Sequence, residues 1–255
     1  MKELFDLAGK KAIVTGGTRG LGNAMAEGLM EAGASVCIWG TSEKALTVAE
    51  SFQKIGLVAH GVVVDISDRK DLERAFHESV AILGGLDILV NAAGTQRRHE
   101  SPNFPVEDWD WVLEVNLTAP FELSQLAAKE YLKKEKPAGK IINVASILAF
   151  LGGFTTPAYS ASKGGIAQMT KALCNELAAS NIQVNAIAPG YMVTDQSAHL
   201  ADPANPRYAE INMRIPAHRW GQPADMKGLT VFLASDASNY INGTVIPLDG
   251  GTLVR

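Results

Sequence analysis

The sequence predicts an α/β protein with one doubly wound parallel sheet of seven strands and helices on both faces. Three observations carry this. Seven short, β-rich apolar runs (11–15, 35–39, 59–65, 87–91, 140–145, 183–188 and 244–248) alternate with longer helical patterns near 21–32, 43–55, 68–83, 106–133, 158–179 and 223–235. Such alternation signals βαβ units and a parallel sheet. Several runs, such as Ile141-Ile142-Asn143-Val144-Ala145, are continuously apolar rather than alternating, as expected of strands covered on both faces. Finally, 255 residues, 47% of them hydrophobic, suit one large domain, and no Pro/Gly/Ser linker or charge block divides residues 1–255. One segment departs from the pattern. Residues 191–222 carry Pro203, Pro206 and Pro216 and are long for a connection inside a compact domain. They are expected to form a substrate-covering flap with short helical pieces.

Composition excludes several functions. Charged residues make up 20% and the formal net charge is −4, so the basic field that a nucleic-acid binder needs is missing. The one basic cluster, Lys133-Lys134-Glu135-Lys136, contains its own acid and reads as a solvated helix end. Cys37 and Cys174 lie far apart in apolar stretches and read as reduced, buried thiols. No two of His60, His77, His99, His199 and His218 are three or four residues apart, so no helix-borne metal site is expected. The first ten residues interleave acids with their apolar residues, unlike a signal peptide, and no apolar run approaches the roughly 20 residues of a membrane span. A soluble, cytoplasmic protein is expected.

The first strand runs into Thr15-Gly16-Gly17-Thr18-Arg19-Gly20-Leu21-Gly22, followed by an apolar-periodic helix. Glycines at 16, 20 and 22 permit a tight turn, close approach of backbone to a pyrophosphate, and close helix–strand packing. The helix N-terminus then offers free N–H groups to phosphate. Glycines also make ordinary turns; the strand before, the helix after and the place at the start of the chain favour a Rossmann-type dinucleotide site. Tyr159 and Lys163, four apart on a predicted helix, share a face. A tyrosine, with an unperturbed pKa of about 10, is poorly matched to proton transfer near neutrality, and a nearby ammonium favours its phenolate.

The spacing of the loop resembles that of the short-chain dehydrogenase/reductase family, and the resemblance extends along nearly the whole chain. Asn91-Ala92-Ala93-Gly94 follows the fourth strand and Asn116 lies in the next helix. Ser146 ends the fifth strand, Tyr159-Ser160-Ala161-Ser162-Lys163 opens the following helix, and Pro189-Gly190 ends the sixth strand. The resemblance implies an NAD(P)-dependent oxidoreductase in which Tyr159 is the general acid/base and Ser146 orients the substrate oxygen. Lys163 would lower the Tyr159 pKa and hold the nicotinamide ribose, and Asn116 would complete a proton relay through water. It also implies a cofactor bed of Gly16, Thr18, Arg19, Gly20, Leu21, Gly22, Thr41, Ser42, Asp65, Ile66, Asn91, Ala92, Gly94, Tyr159, Lys163, Pro189, Gly190, Met192 and Thr194. Asp65-Ile66, ending the third strand, would flank the adenine. Pro120 supports the relay separately: without an N–H it cannot bond the carbonyl four residues back, that of Asn116, and it also predicts a kink.

An acid ending the second strand would bind an adenosine 2′-hydroxyl and repel a 2′-phosphate. That position is Gly40. With Arg19, Thr41 and Ser42 nearby, NADP(H) is favoured, while Glu43 keeps NAD(H) open. Several stretches resemble a subgroup acting on sugar acids, the 2-deoxy-D-gluconate 3-dehydrogenases, 2-dehydro-3-deoxy-D-gluconate 5-dehydrogenases and gluconate 5-dehydrogenases. They include Gly94-Thr95-Gln96-Arg97-Arg98, Asp108-Trp109-Asp110 and the run from Arg214 to Gly221. Arg97 or Arg98 would bind a substrate carboxylate, for which the guanidinium fork is suited, beside Ser146 and Tyr159. A solvated arginine pair is the alternative, and Asp108-Trp109-Asp110 reads as a helix start. Two other functions compete, a 3-oxoacyl-thioester reductase and a non-catalytic dinucleotide-binding scaffold. A homotetramer is expected, from apolar residues along helix 158–179 (Ala161, Ile166, Met169, Leu173, Leu177) and the apolar, glycine-rich end 242–255.

Overall fold

The structure, a computed structural model, describes residues 2–195 and 197–255. Seven strands form one sheet: β1 (Lys11–Thr15), β2 (Ser35–Gly40), β3 (Ala59–Val63), β4 (Ile88–Asn91), β5 (Gly139–Val144), β6 (Ile182–Pro189) and β7 (Val245–Leu248). Their order is β3-β2-β1-β4-β5-β6-β7, parallel throughout. The helices are α1 (Gly20–Glu31), α2 (Lys44–Lys54), α3 (Arg69–Leu83), α4 (Val106–Leu113), α5 (Ala119–Leu132), α6 (Pro157–Leu177), α7 (Tyr208–Met213) and α8 (Asp225–Ala234). From β1 the chain winds outward to β3, then returns to the other side of β1 as β4. The crevice where this order reverses, at the C-terminal strand ends, is where such sheets bind ligands.

Burial on both faces explains the continuous apolar strands. Met25 and Leu29 of α1, Phe52 of α2, and Met226 and Leu233 of α8 cover one face. Phe76 of α3, Leu123 and Tyr131 of α5, and the partly buried Leu173 and Leu177 of α6 cover the other. The ends of α3 are set by local chemistry: Asp68 accepts from the Lys70 and Asp71 N–H groups, and Gly84 stops the helix at φ +70°. The third strand stops at Val63 rather than at Asp65, because Asp65 turns into a loop in which its Oδ1 accepts from Ser67 N and Oγ at 3.0 and 2.7 Å.

The helix expected over 106–133 is broken into three parts. Between α4 and α5, Glu114–Thr118 forms a π turn, with Ala119 N–H bonded to the Glu114 carbonyl. Pro120, second in α5, has no N–H with which to continue an α-helical ladder, and the chain widens just before it.

The segment 191–222 is an excursion closed at its base. Met192 bridges Gly221, with Val193 N–H donating to the Gly221 carbonyl at 2.8 Å and Gly221 N–H to that of Tyr191 at 2.9 Å. Ile211, Ile215 and Trp220 form its own small core. Of the five apolar residues singled out along helix 158–179, Ile166 is buried, Met169, Leu173 and Leu177 pack on the sheet while staying partly accessible, and Ala161 is exposed.

Candidate active site

The glycine-rich loop and the Tyr159 helix meet at the crevice. The loop folds onto the turn after β4: a Cβ on Gly16, which has φ +65°, would lie 2.8 Å from Ala93 Cα, and one on Gly22 would lie 2.5 Å from the Gly16 carbonyl oxygen. No side chain fits at either position, so the loop packs backbone to backbone against the turn after β4 and the start of α1. Unlike α3, helix α1 has no side-chain cap and no acid in its first turn, which leaves its N–H groups and positive dipole end for an anion. Thr194 stands over the loop, its methyl 3.8 Å from where a Gly20 Cβ would be. Arg19 faces Asp195 at 3.6 Å, both well exposed.

Thr15 was not read as a site residue from the sequence. Its Oγ1 accepts from the Ala92 and Ala93 N–H groups at 3.1 and 3.0 Å, fixing the turn after β4 to the end of β1. The Asn91 side chain points into the sheet, where Nδ2 donates to Asn143 Oδ1 at 2.8 Å. It therefore faces the interior rather than the crevice, leaving its main chain for a ligand.

Asn116, Ser146, Tyr159 and Lys163 come together as the sequence predicts. Gly94 sits between two of them: a Cβ there would be 3.6 Å from Asn116 Oδ1 and 3.8 Å from Lys163 Nζ. Ser146, at the end of β5, accepts from Leu148 N–H at 3.1 Å. Lys163 is buried and donates to the Val144 carbonyl at 2.7 Å, with Nζ 5.6 Å from the centroid of the Tyr159 ring. Burial pushes the Tyr159 phenol above its usual range, and the Ser146 hydroxyl beside it opposes that rise. Burial also lowers Lys163 to about 8. Desolvation is thus the largest influence on the Tyr159 phenol, and Ser146 rather than Lys163 is the group that counters it.

Asn116 is held by a clamp that the sequence did not reveal. Its Oδ1 accepts from Thr95 N–H at 2.8 Å, and its Nδ2 donates to the Thr95 carbonyl at 2.9 Å and to Ser162 Oγ at 3.1 Å. Ser162 in turn donates to the Tyr159 carbonyl at 2.8 Å. Gly165 lets the π turn come this close, since a Cβ there would fall 2.8 Å from Leu117 Cδ2. The signal in the sequence was the small residues around Lys163, Ser160-Ala161-Ser162 before it and Gly164-Gly165 after it, which allow close approach.

The arginine pair divides. Arg97 stacks 4.0 Å over the Trp111 ring and meets Asp108 at 3.3 Å, while His99 Nε2 lies 2.6 Å from the other Asp108 oxygen. Arg98 is exposed; its Nη2 and Nε donate to the Gln96 side-chain oxygen at 3.0 and 3.2 Å in the amide orientation that satisfies both groups.

Residues 16–252 match a family described as enoyl-(acyl carrier protein) reductase. The chain belongs to the short-chain dehydrogenase/reductase family. Among curated relatives, this dehydrogenase/reductase is 44% identical over 252 residues to a 2-dehydro-3-deoxy-D-gluconate 5-dehydrogenase of Escherichia coli, covering 98% of each chain. It is 40% identical over 247 residues to a 3-oxoacyl-[acyl-carrier-protein] reductase of Aquifex aeolicus, covering 96% of this chain and 98% of the other. A crystal structure of a gluconate 5-dehydrogenase from Burkholderia cenocepacia, in complex with NADP and tartrate, superposes with TM-score 0.93. Its identity is 38%, covering 100% of this chain and 99% of that one.

Proposed function

We propose that this short-chain dehydrogenase/reductase transfers a hydride between NADP(H) and the alcohol or carbonyl carbon of a sugar acid of the gluconate type. The observation that carries the reading is the cluster of Asn116 and Lys163 about Gly94 with Tyr159 beside Lys163 and Ser146 beside Tyr159, next to a tightly packed glycine loop and the uncapped start of α1. The 2-dehydro-3-deoxy-D-gluconate dehydrogenase relative and the NADP-bound gluconate 5-dehydrogenase neighbour support the substrate and the cofactor.

The residues fit the cofactor. The loop from Gly16 to Gly22, with the uncapped start of α1, would hold the pyrophosphate; Leu21, Pro189, Gly190, Met192 and Thr194 would surround it. Arg19, Thr41 and Ser42 would take a 2′-phosphate, and Asp65 and Ile66 would flank the adenine. The nicotinamide ring supplies or accepts the hydride. Ser146 and Tyr159 hydroxyls bond the substrate oxygen, and Tyr159 gives it a proton on reduction or removes one on oxidation. Lys163 has three N–H donors, of which Val144 takes one, so two remain for ribose hydroxyls. The clamp on the Asn116 side chain leaves its carbonyl to hold the relay water. Arg98, whose charge meets only the neutral Gln96 amide among its described partners, takes the substrate carboxylate. Arg97 is already paired with Asp108. The segment 191–222 covers the bound substrate.

A 3-oxoacyl-thioester reductase is the second reading, favoured by the Aquifex aeolicus relative; the net charge of −4 disfavours docking of an acidic carrier. Turnover followed by absorbance of the reduced nicotinamide decides between them. We expect activity with gluconate-type acids and NADP(H), and little with 3-oxoacyl thioesters; the reverse pattern overturns the proposal.

The same reading includes a homotetramer in the cytoplasm. Strand β7 is only half-buried along its length, and Val106, Phe121 and Leu132 present apolar side chains to solvent, which suits burial against further copies. Cys37 and Cys174 are free thiols, and no described helix is long and apolar enough to cross a membrane. Light scattering showing an active monomer of 27.1 kDa would remove the assembly.

A further inference from the structure

Gly40 was singled out because it stands where an acid would select NAD. The structure adds a steric fact about that position. A Cβ on Gly40 would lie 2.4 Å from the Thr18 methyl carbon, 3.4 Å from its Oγ1 and 3.5 Å from its Cβ. The first distance is far inside van der Waals contact; the other two are ordinary or nearly so. The obstruction is therefore one methyl group.

Neither side can easily yield. Gly17 N–H donates to the Trp39 carbonyl at 3.1 Å, which ties the loop to β2 one residue from Thr18. The Gly40 carbonyl accepts from Val64 N–H at 2.9 Å, and Trp39 is fully buried, its Nε1 donating to Ser79 Oγ at 2.8 Å. A Cβ on Gly17 would itself fall 2.9 Å from Ile38 Cγ2, so the loop lies directly on the strand. Threonine is branched at Cβ and stiff about χ1.

We propose that Thr18 is a specificity-determining residue. Its methyl fills the space in which any side chain at 40 would begin, keeping the strand end bare and the exposed Thr41 and Ser42 hydroxyls open to a phosphomonoester on the ribose. On this view the missing acid is excluded by volume as well as by charge, and the cofactor preference cannot be reversed at position 40 alone. The proposal rests on the reading that the loop binds a dinucleotide.

The test is a pair of double-mutant cycles. In the first, Gly40→Ala and Thr18→Ser are combined and melting temperatures are read without nucleotide. Gly40→Ala is expected to melt several degrees lower than wild type, and Thr18→Ser/Gly40→Ala to regain most of that loss. In the second, NADPH and NADH affinities are read by tryptophan fluorescence. Gly40→Asp is expected to weaken NADPH at least tenfold without gaining NADH, while Thr18→Ser/Gly40→Asp binds NADH about tenfold more tightly than Gly40→Asp. Additive effects in both cycles, or Gly40→Asp gaining NADH by itself, overturn the role of Thr18. A wild type that binds neither nucleotide overturns the dinucleotide reading instead, and the first cycle still reports whether the methyl obstructs position 40.

Discussion

Asn116 and Thr95 are joined twice: the Asn116 amide oxygen accepts from the Thr95 N–H at 2.8 Å, and its amide nitrogen donates to the Thr95 carbonyl at 2.9 Å. The side chain thereby acts as a strand partner to the turn after β4, and its remaining donor reaches Ser162 on α6. Loop, π turn and Tyr159 helix are fixed to one another through a single amide that is almost wholly buried.

Asn116→Ala leaves the part-buried N–H and carbonyl of Thr95 without their partner, each at a cost of roughly 1–3 kcal/mol, while Ser162 keeps its bond to the Tyr159 carbonyl. At about 2–4 °C per kcal/mol for a chain of this length, the melting temperature should drop by several degrees. Turnover should fall more than substrate affinity does if the Asn116 carbonyl, which moves with the clamp, holds the proposed relay water. Intact kcat in a destabilised variant would show the amide to be structural only.

Tyr159→Phe removes a proton donor and little else. Turnover should fall by roughly 10²–10⁴-fold while NADPH affinity stays near that of wild type. Activity within a few-fold of wild type would take Tyr159 out of the reaction.

Lys163 gives a pH dependence with a definite sign. It keeps its proton to about 10.5 in the unfolded chain but only to about 8 when folded. Between those values the unfolded state binds more protons, so this group's contribution to stability rises with pH; its burial penalty is complete below about 8. Without nucleotide, the melting temperature of wild type relative to Lys163→Met should rise from pH 8 toward 10.5. Parallel curves would mean that the ammonium is not desolvated.

The two arginines should separate by substrate charge. Arg98→Ala should raise KM for a sugar acid at least tenfold and leave a neutral polyol nearly unaffected. Arg97→Ala, which leaves Asp108 to His99 alone and uncovers Trp111, should affect both substrates alike. A charge-selective loss in Arg97→Ala, absent from Arg98→Ala, would exchange their roles.

The sequence by itself determined the architecture and which side chains would be brought together at the crevice. Strand period, the glycine spacing and the four-residue interval between Tyr159 and Lys163 are local properties, legible because each depends on neighbours along the chain. Pro120 likewise announced an interruption of its helix. Tertiary structure alone decided the rest. Thr95 and Ser162 clamp Asn116 from 21 and 46 residues away, and hydrogen bonds between distant elements leave no periodic trace. Ile166 and Leu173 turned inward because both faces of the sheet had to be covered. Arg97 found Asp108 and Trp111 one helix away, so only the folded loop could distinguish it from Arg98. The contact of Thr18 with Gly40 joins residues 22 apart in sequence through a strand and a turn. A missing side chain can be read from the sequence, but what occupies its space depends on how the chain packs in three dimensions.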